Sequence, residues 1–433
     1  MAAIRKLLQA LTIGLPAFLM AGVILSACTS QAPSTSSGNP SAAPGHDTQA
    51  ARKVIDSRGE AVLVPMPVKT VATISDALVE EVIVALKAGV EVRAIGSTCL
   101  VREFSYEFIG IDGGRFSYSG GMNPANFLMP DLRKQPLFIM PGTEMNFETL
   151  AMSKPDVLLV QAGCCTINWR VGDDQKMNST LCKLRSLGIP TVVLHGPNFS
   201  GSPHFETLSD NIRILGQVFG REESAQQLVS YLESQVKLVS DRTKGISEAQ
   251  KPRVLLFGLN PNVRRSGGSG TAFGRRDIQS YMLEEVVHAR NAFQDDSFSR
   301  DLNTEQVLAL NPDVFILPTS NGYHPPRELY GTPDFANLGI LKAIQKRRIS
   351  ALPWSPCNCD QRLEHPVNVM VMAKAVYPQL FSDVNLEDWM IRFFRNVYRV
   401  DDRAANGLVD ALWMNWARDP SKSNISSQNP VGK

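Results

Sequence analysis

One stretch of this chain is written twice, and it constrains the fold more than any other feature. Phe147-Glu148-Thr149-Leu150-Ala151-Met152-Ser153-Lys154-Pro155-Asp156-Val157 and Thr304-Glu305-Gln306-Val307-Leu308-Ala309-Leu310-Asn311-Pro312-Asp313-Val314 share a glutamate, a short amphipathic run, Pro-Asp and an apolar strand-like segment. Proline cannot continue a helix and biases the residue before it toward extended backbone, so each copy predicts a helix that stops and hands over to a strand. The same alternation runs through the chain from Val54. Strands are expected at Thr70–Ser75, Val92–Ser97, Val157–Gln161 and Thr191–Leu194, with helices at Leu78–Ala88, Phe147–Ser153 and Thr180–Leu187 between them. Further strands are expected at Arg253–Phe257, Val314–Leu317 and Ile349–Leu352. This is the pattern of parallel βα units. Nearly four hundred residues are too many for one ordinary core, so the expected class is α/β, in two similar doubly wound lobes.

The segment joining the halves, 204–244, has helical periodicity interrupted only at Gly220. Ala225, Leu228, Leu232, Val236 and Val239 fall on one face of its second part. That second part, Glu222 to Arg242, is a helix of about twenty residues, about 30 Å long, and predicts a stiff spine between the lobes.

At the start of the chain Arg5 and Lys6 precede an apolar stretch from Leu7 to Ala27, ending Leu25-Ser26-Ala27-Cys28. This is a secretory signal layout, and its ending is similar to the bacterial lipobox, whose cysteine is diacylated. Residues 1–27 are therefore expected to be a signal peptide and Cys28 the lipidated first residue of an extracytoplasmic protein. Residues 28–49, rich in Ser, Pro, Ala and Gly, fit a flexible tether. The remaining organisation is expected to be an N-terminal lobe at 50–203, the interlobe segment 204–244, a C-terminal lobe at 245–417 and a polar tail at 418–433. With 44 basic and 42 acidic side chains the net charge is +2, which indicates neither a nucleic-acid surface nor a polyanion partner.

Several further segments carry a family resemblance. Val54-Ile55-Asp56-Ser57-Arg58-Gly59 through Val64-Pro65 and Val68-Lys69-Thr70-Val71 resembles the opening of the iron-siderophore and cobalamin substrate-binding lipoproteins of ABC importers. The doubled unit, Leu187-Gly188-Ile189-Pro190-Thr191-Val192, Ile214-Leu215-Gly216 with Phe219-Gly220 and Ala225, and Ala373-Lys374-Ala375-Val376-Tyr377-Pro378 are similar to later segments of that family, in its order. The resemblance implies two α/β lobes joined by one long rigid helix, small closure about a ligand in the cleft, and no enzymatic activity. It implies docking of Glu148 and Glu305 onto arginines of a membrane permease that works with its ATPase. It also implies a chelated-metal ligand: an Fe(III)-siderophore first, cobalamin or haem next. No intrinsic cofactor is expected, and the protein should act as a monomer.

Ligands of doubly wound sheets bind beyond the carboxyl ends of the strands. The loops there offer Arg102, Tyr106, Trp169, Arg264, Arg265, Arg275, Arg276, Tyr323, Trp354 and Arg362. Arginine forks can meet carboxylates, catecholates or phosphates bidentately, while aromatics cover an apolar chelate. Two or three of the four arginines between Arg264 and Arg276 are expected to face the cleft.

Six cysteines remain after Cys28. An even number in an oxidising compartment points to disulfides, and Cys164 or Cys165 to Cys182 is the easiest local closure. The vicinal Cys164-Cys165 pair and the Cys357-x-Cys359 pair are awkward for ordinary disulfides and leave a thiolate metal site or a redox protein on the same scaffold as the competing class. His324 and His365 could join such a site. A surface receptor that only signals is a third class. No nucleophile elbow, His-Glu-x-x-His or phosphate loop is found; Gly267-Gly268-Ser269-Gly270 is not followed by Lys-Ser/Thr.

Overall fold

Strands buried on both faces must read as unbroken apolar runs, and those of this chain do. The computed structural model describes residues 50–418 apart from 141–143, 168, 198, 201, 319–324 and 355–361. Cys28 with its signal peptide and tether, Tyr323, His324, Cys357, Cys359 and the tail from 419 lie outside the described residues. A small antiparallel pair, β1 (Ala51–Ile55) and β2 (Ala61–Pro65), opens the body. Strands β3 (Thr70–Ile74) and β4 (Glu91–Ile95) follow; then β5 (Phe104–Ile109) and β6 (Arg115–Gly121) form a hairpin. Strands β7 (Val157–Ala162) and β8 (Thr191–His195) complete a parallel sheet in the order β4-β3-β7-β8. Every residue of β3 and β7 is buried, with helices and loops covering both faces.

The second sheet contains β9 (Arg253–Gly258), β10 (Gly270–Phe273), β11 (Arg290–Asn291), β12 (Ser299–Leu302), β13 (Val314–Leu317) and β14 (Ile349–Ala351). Its order is β12-β10-β9-β13-β14, with β11 also pairing with β9. The core strands β9, β13 and β14 are parallel, but β10 runs antiparallel to both β9 and β12. The glycine-rich segment before Thr271 thus leads into an antiparallel extension that the alternating pattern does not announce.

The doubled unit is built the same way in both lobes. Helices Phe147–Ser153 and Thr304–Leu310 are capped by the side chains of Asn146 and Asn303, which accept the Thr149 and Gln306 amides at 2.9 Å. They end at Lys154 and Asn311, both in the left-handed region. The aspartate that follows each proline binds the backbone of a neighbouring strand. The Asp156 carboxylate accepts the Lys69 and Thr70 amides, and that of Asp313 accepts the Arg253 amide at 2.8 Å. Each Pro-Asp therefore ends a helix and pins the start of the adjacent central strand.

The joining segment forms helices Glu206–Phe219 and Glu222–Thr243, which turn at Gly220, where φ is 62°. That left-handed conformation suits glycine. The second helix has 22 residues, about 33 Å at 1.5 Å per residue. Its Ala225, Leu228, Leu232 and Val239 are buried, in a core that runs from Val54 and Leu78 through the spine to Met370 and Phe393.

The spine is not the sole tie between the lobes. Helices Leu386–Tyr398 and Asp402–Ala411, in the stretch expected to complete the second lobe, return to the first. Met122 donates its amide to the Ala411 carbonyl at 3.1 Å, and the Trp413 indole donates to the Ser119 carbonyl at 2.8 Å. Gly407 lies so close to Phe127 that a Cβ there would stand 2.2 Å from the ring. The cause is the strongly apolar face of Leu386–Tyr398, with Trp389, Phe393 and Phe394 all buried, which needs both lobes to cover it. No described helix is long and apolar enough to cross a membrane.

Candidate functional site: the interlobe cleft

The carboxyl ends of β3, β4 and β7 converge on Asp76. Its buried carboxylate accepts the Ser97 hydroxyl at 2.6 Å, the Cys165 amide at 2.6 Å and the Thr166 hydroxyl at 2.7 Å, tying three loops of the first lobe into one cleft wall. An aspartate two residues past the end of a buried strand is the sequence signal for this hub, and it is absent from the candidates above.

On one side of the cleft the hairpin β5–β6 reaches across to the second lobe. The Tyr106 hydroxyl donates to Glu328 at 2.5 Å and accepts from Arg264 at 3.1 Å, while Arg264 pairs with Glu328 at 3.0 Å and with Asp334 at 2.6 Å. Glu328 is fully buried. Burial, then the Glu328 charge, push the Tyr106 hydroxyl well above its ordinary value, so it stays a donor at any physiological pH. At the hairpin tip the Ile111 amide donates to the Gly331 carbonyl at 2.7 Å, and the Arg327 guanidinium lies 4.1 Å from the Phe116 ring centroid. Beneath this, Trp354 packs on Trp413 and Phe104, with centroids 4.7 and 5.0 Å apart. The hairpin is a latch.

Beside the spine the lobes meet around buried acids. Glu80 and Glu81 of helix Leu78–Ala85 and Glu364 of the second lobe are all withdrawn from water. Glu81 accepts the Leu363 amide at 3.1 Å, and Glu364 is bonded by the Tyr398 hydroxyl. Arg362 stands 3.8 Å from Glu364. Burial raises all three carboxyls, Glu80 to about 7, and for Glu81 the Glu364 charge adds to it. Buried His365, against Phe205 at 4.5 Å, is pushed down to about 4 and is neutral. Further out, Arg170 of the first lobe lies over Phe298 of the second, 5.7 Å from its centroid.

These contacts place the sequence-derived candidates. Tyr106, Arg264 and Trp354 are brought together, in the latch rather than on open cleft wall. Arg362 is buried with the acids. Trp169 is buried in the first lobe, on a cavity of about 330 Å³ that Phe147 also lines. Arg102 and Arg276 are exposed; Arg265 leans on Asn262, and Arg275 pairs with Asp296 at 2.5 Å. Tyr323 is outside the described residues.

The expected closure of Cys164 or Cys165 onto Cys182 is not formed. Neither Cys164 nor Cys165 is in a disulfide, whereas Cys182 and Cys99 are. Cys164 is buried in the core with Met177, Leu181 and Leu184, and its sulfur accepts the Ile167 amide. Cys182 sits one residue past Leu181, about 100° round the helix and off that face. Burial raises the Cys164 thiol, so it is protonated and inert. Among the described residues no group of three or more His, Cys, Asp or Glu could hold a metal ion.

Glu148 and Glu305 are exposed at equivalent positions in the two helix starts, and neither makes a hydrogen bond or ion pair among the described residues. Asn146 and Asn303 already cap these helices, so capping does not account for the glutamates.

Two α/β lobes on a rigid spine, with loops gathered at facing strand ends, define a binding-protein architecture. The chain belongs to the periplasmic binding protein family, whose model matches residues 129–355. It is 23% identical over 287 residues to the molybdate-binding protein MolA of Haemophilus influenzae, covering 64% of this chain and 77% of MolA. The structure of MolA bound to molybdate superposes with a TM-score of 0.59 at 18% identity, covering 81% of this chain and 98% of that one. A periplasmic solute binding protein from Veillonella parvula gives a TM-score of 0.64 at 20% identity, covering 86% of this chain and all of that one. The ABC transporter substrate-binding lipoprotein YvrC of Bacillus subtilis is 22% identical over 173 residues, 40% of this chain and 48% of YvrC. Periplasmic binding proteins act outside the cytoplasm.

Proposed function

We propose that this chain is the lipid-anchored substrate-binding component of an ABC importer for a chelated metal. A ferric siderophore is the first candidate ligand, then cobalamin or haem. The protein works as a monomer, held by a lipid on Cys28 and a tether, and delivers its ligand to a permease. The observation that carries this reading is the matched pair Glu148 and Glu305: exposed, unpaired among the described residues, and presented at the same position of an Asn-capped helix in each lobe. Charge-assisted pairs with permease arginines suit a contact that must form and release. In the host strain, replacing both with alanine should abolish uptake while leaving ligand affinity of the purified protein unchanged. Undiminished transport by the double variant would overturn the docking assignment.

The similarity to MolA favours a second ligand reading, a metal oxyanion. Native mass spectrometry of protein isolated from its own host separates the two. A bound organic chelate supports the first reading, and a bound oxyanion replaces it with the second.

A further inference from the structure

Away from the cleft, a cavity of about 580 Å³ opens in the second lobe beside β14, the last strand of its sheet. Its walls are apolar, from Ile349, Val371, Ala375 and Leu386 among others. Its polar groups are nearly all donors, and no carboxylate is among the lining residues. The Arg347 guanidinium lies 5.0 Å from the Tyr330 ring centroid and has no hydrogen-bond or ion-pair partner among the described residues. The Ser350 hydroxyl has none either. Lys374 donates to the carbonyls of Phe381 and Val384 at 3.0 and 2.6 Å, and its charge also acts on Asp383. Arg418, also on the wall, is neutralised by Glu387 at 2.9 Å and Asp410 at 2.5 Å.

An unpaired guanidinium beside an apolar wall is a ready partner for an anionic group. The cavity lies within the ~300–1,000 Å³ range of small-molecule sites, which pair apolar walls with a few convergent polar groups. We propose that it is a second ligand site, taking a small organic monoanion whose carboxylate or sulfonate meets Arg347 and whose aromatic or branched body fills the apolar wall. The site is independent of the cleft ligand. Helix Pro326–Gly331 supplies Pro326 and Tyr330 to this cavity and Arg327 and Glu328 to the latch, so one short helix borders both.

Fluorescence titration of the purified full chain with anilinonaphthalene sulfonate, an aromatic monoanion, and with uncharged N-phenylnaphthylamine tests this. The sulfonate should bind saturably with one-to-one stoichiometry, about tenfold or more tighter than the neutral probe, as expected for a charge-assisted contact. Arg347→Ala should weaken the sulfonate about tenfold and leave the neutral probe unchanged, which separates charge recognition from a generally sticky surface. Arg347 is exposed, so that variant should fold, and circular dichroism checks it. No saturable binding, equal affinity for the two probes, or full sulfonate affinity in Arg347→Ala would each overturn the proposal.

Discussion

Glu80→Gln offers a quantitative test of the lobe junction. The Glu80 side chain is fully buried, and burial lifts its carboxyl from 4.5 to about 7 against the opposing pull of the Thr73 and Ser75 hydroxyls and the helix backbone. The native protein therefore holds this proton more tightly than the unfolded chain. The resulting stability is fully present below pH 4.5 and is lost as pH rises to about 7, beyond which the difference is constant. About 2.5 pH units at 1.36 kcal/mol each gives about 3 kcal/mol. Glutamine keeps the shape and cannot ionise. Urea unfolding of both proteins from about pH 4 to 8 should give stability curves that approach each other at acid pH and diverge by about 3 kcal/mol, in favour of the variant, at the alkaline end. Glu81 and Glu364 titrate in both proteins, and because the Glu80 charge also raises the Glu81 carboxyl, the divergence includes that smaller coupling. Parallel curves across the range would refute the reasoning, because they would mean that Glu80 is charged or solvated in the native state.

Tyr106→Phe removes both hydrogen bonds of the latch hydroxyl and exposes the Arg264–Glu328 pair to imperfect compensation. It should cost roughly 1–3 kcal/mol in denaturant unfolding, and a loss under about 0.5 kcal/mol would show the latch to be ornamental. Gly407→Ala forces a methyl group into the Phe127 ring and should destabilise by about 1–3 kcal/mol, whereas an unchanged melting temperature would mean the helices part there freely. In native protein, a thiol reagent such as dithionitrobenzoate should react with exposed Cys165 and reach Cys164 only after unfolding. Cys165→Ser should abolish the fast phase, and a fast phase that survives would place the reactive thiol elsewhere.

Much of the scaffold was legible in the sequence because it follows from periodicity. Strands read as short β-branched runs, and the spine read as a long amphipathic pattern broken at Gly220. The hairpin β5–β6 was missed although Phe104, Tyr106 and Phe108 alternate with Ser105, Glu107 and Ile109, the period of a strand. Placed after a sheet strand, these aromatics suggested ligand contacts, when their partners were Trp354, Trp413 and Glu328 from far along the chain. Nothing local marks Arg264 as an arginine whose counter-charges are Glu328 and Asp334. The buried acids were the least visible, since a glutamate in an amphipathic helix is normally solvent-facing, and only the return of Leu386–Tyr398 and its neighbours closes over Glu80 and Glu81. Local chemistry predicted elements; long-range pairings decided which charged and aromatic groups were accessible.

The returning C-terminal helices also set a constraint on how the protein comes into being. Ser119 and Trp413, joined by a hydrogen bond, are 294 residues apart in sequence. The first lobe cannot reach its native packing while the chain is still being delivered, because helices that cover it arrive last. Contacts of such separation slow folding and leave partly covered apolar surface for longer. A C-terminal truncation before Leu386 should thus unsettle the lobe made first, and the molecule is finished only when its end has met its beginning.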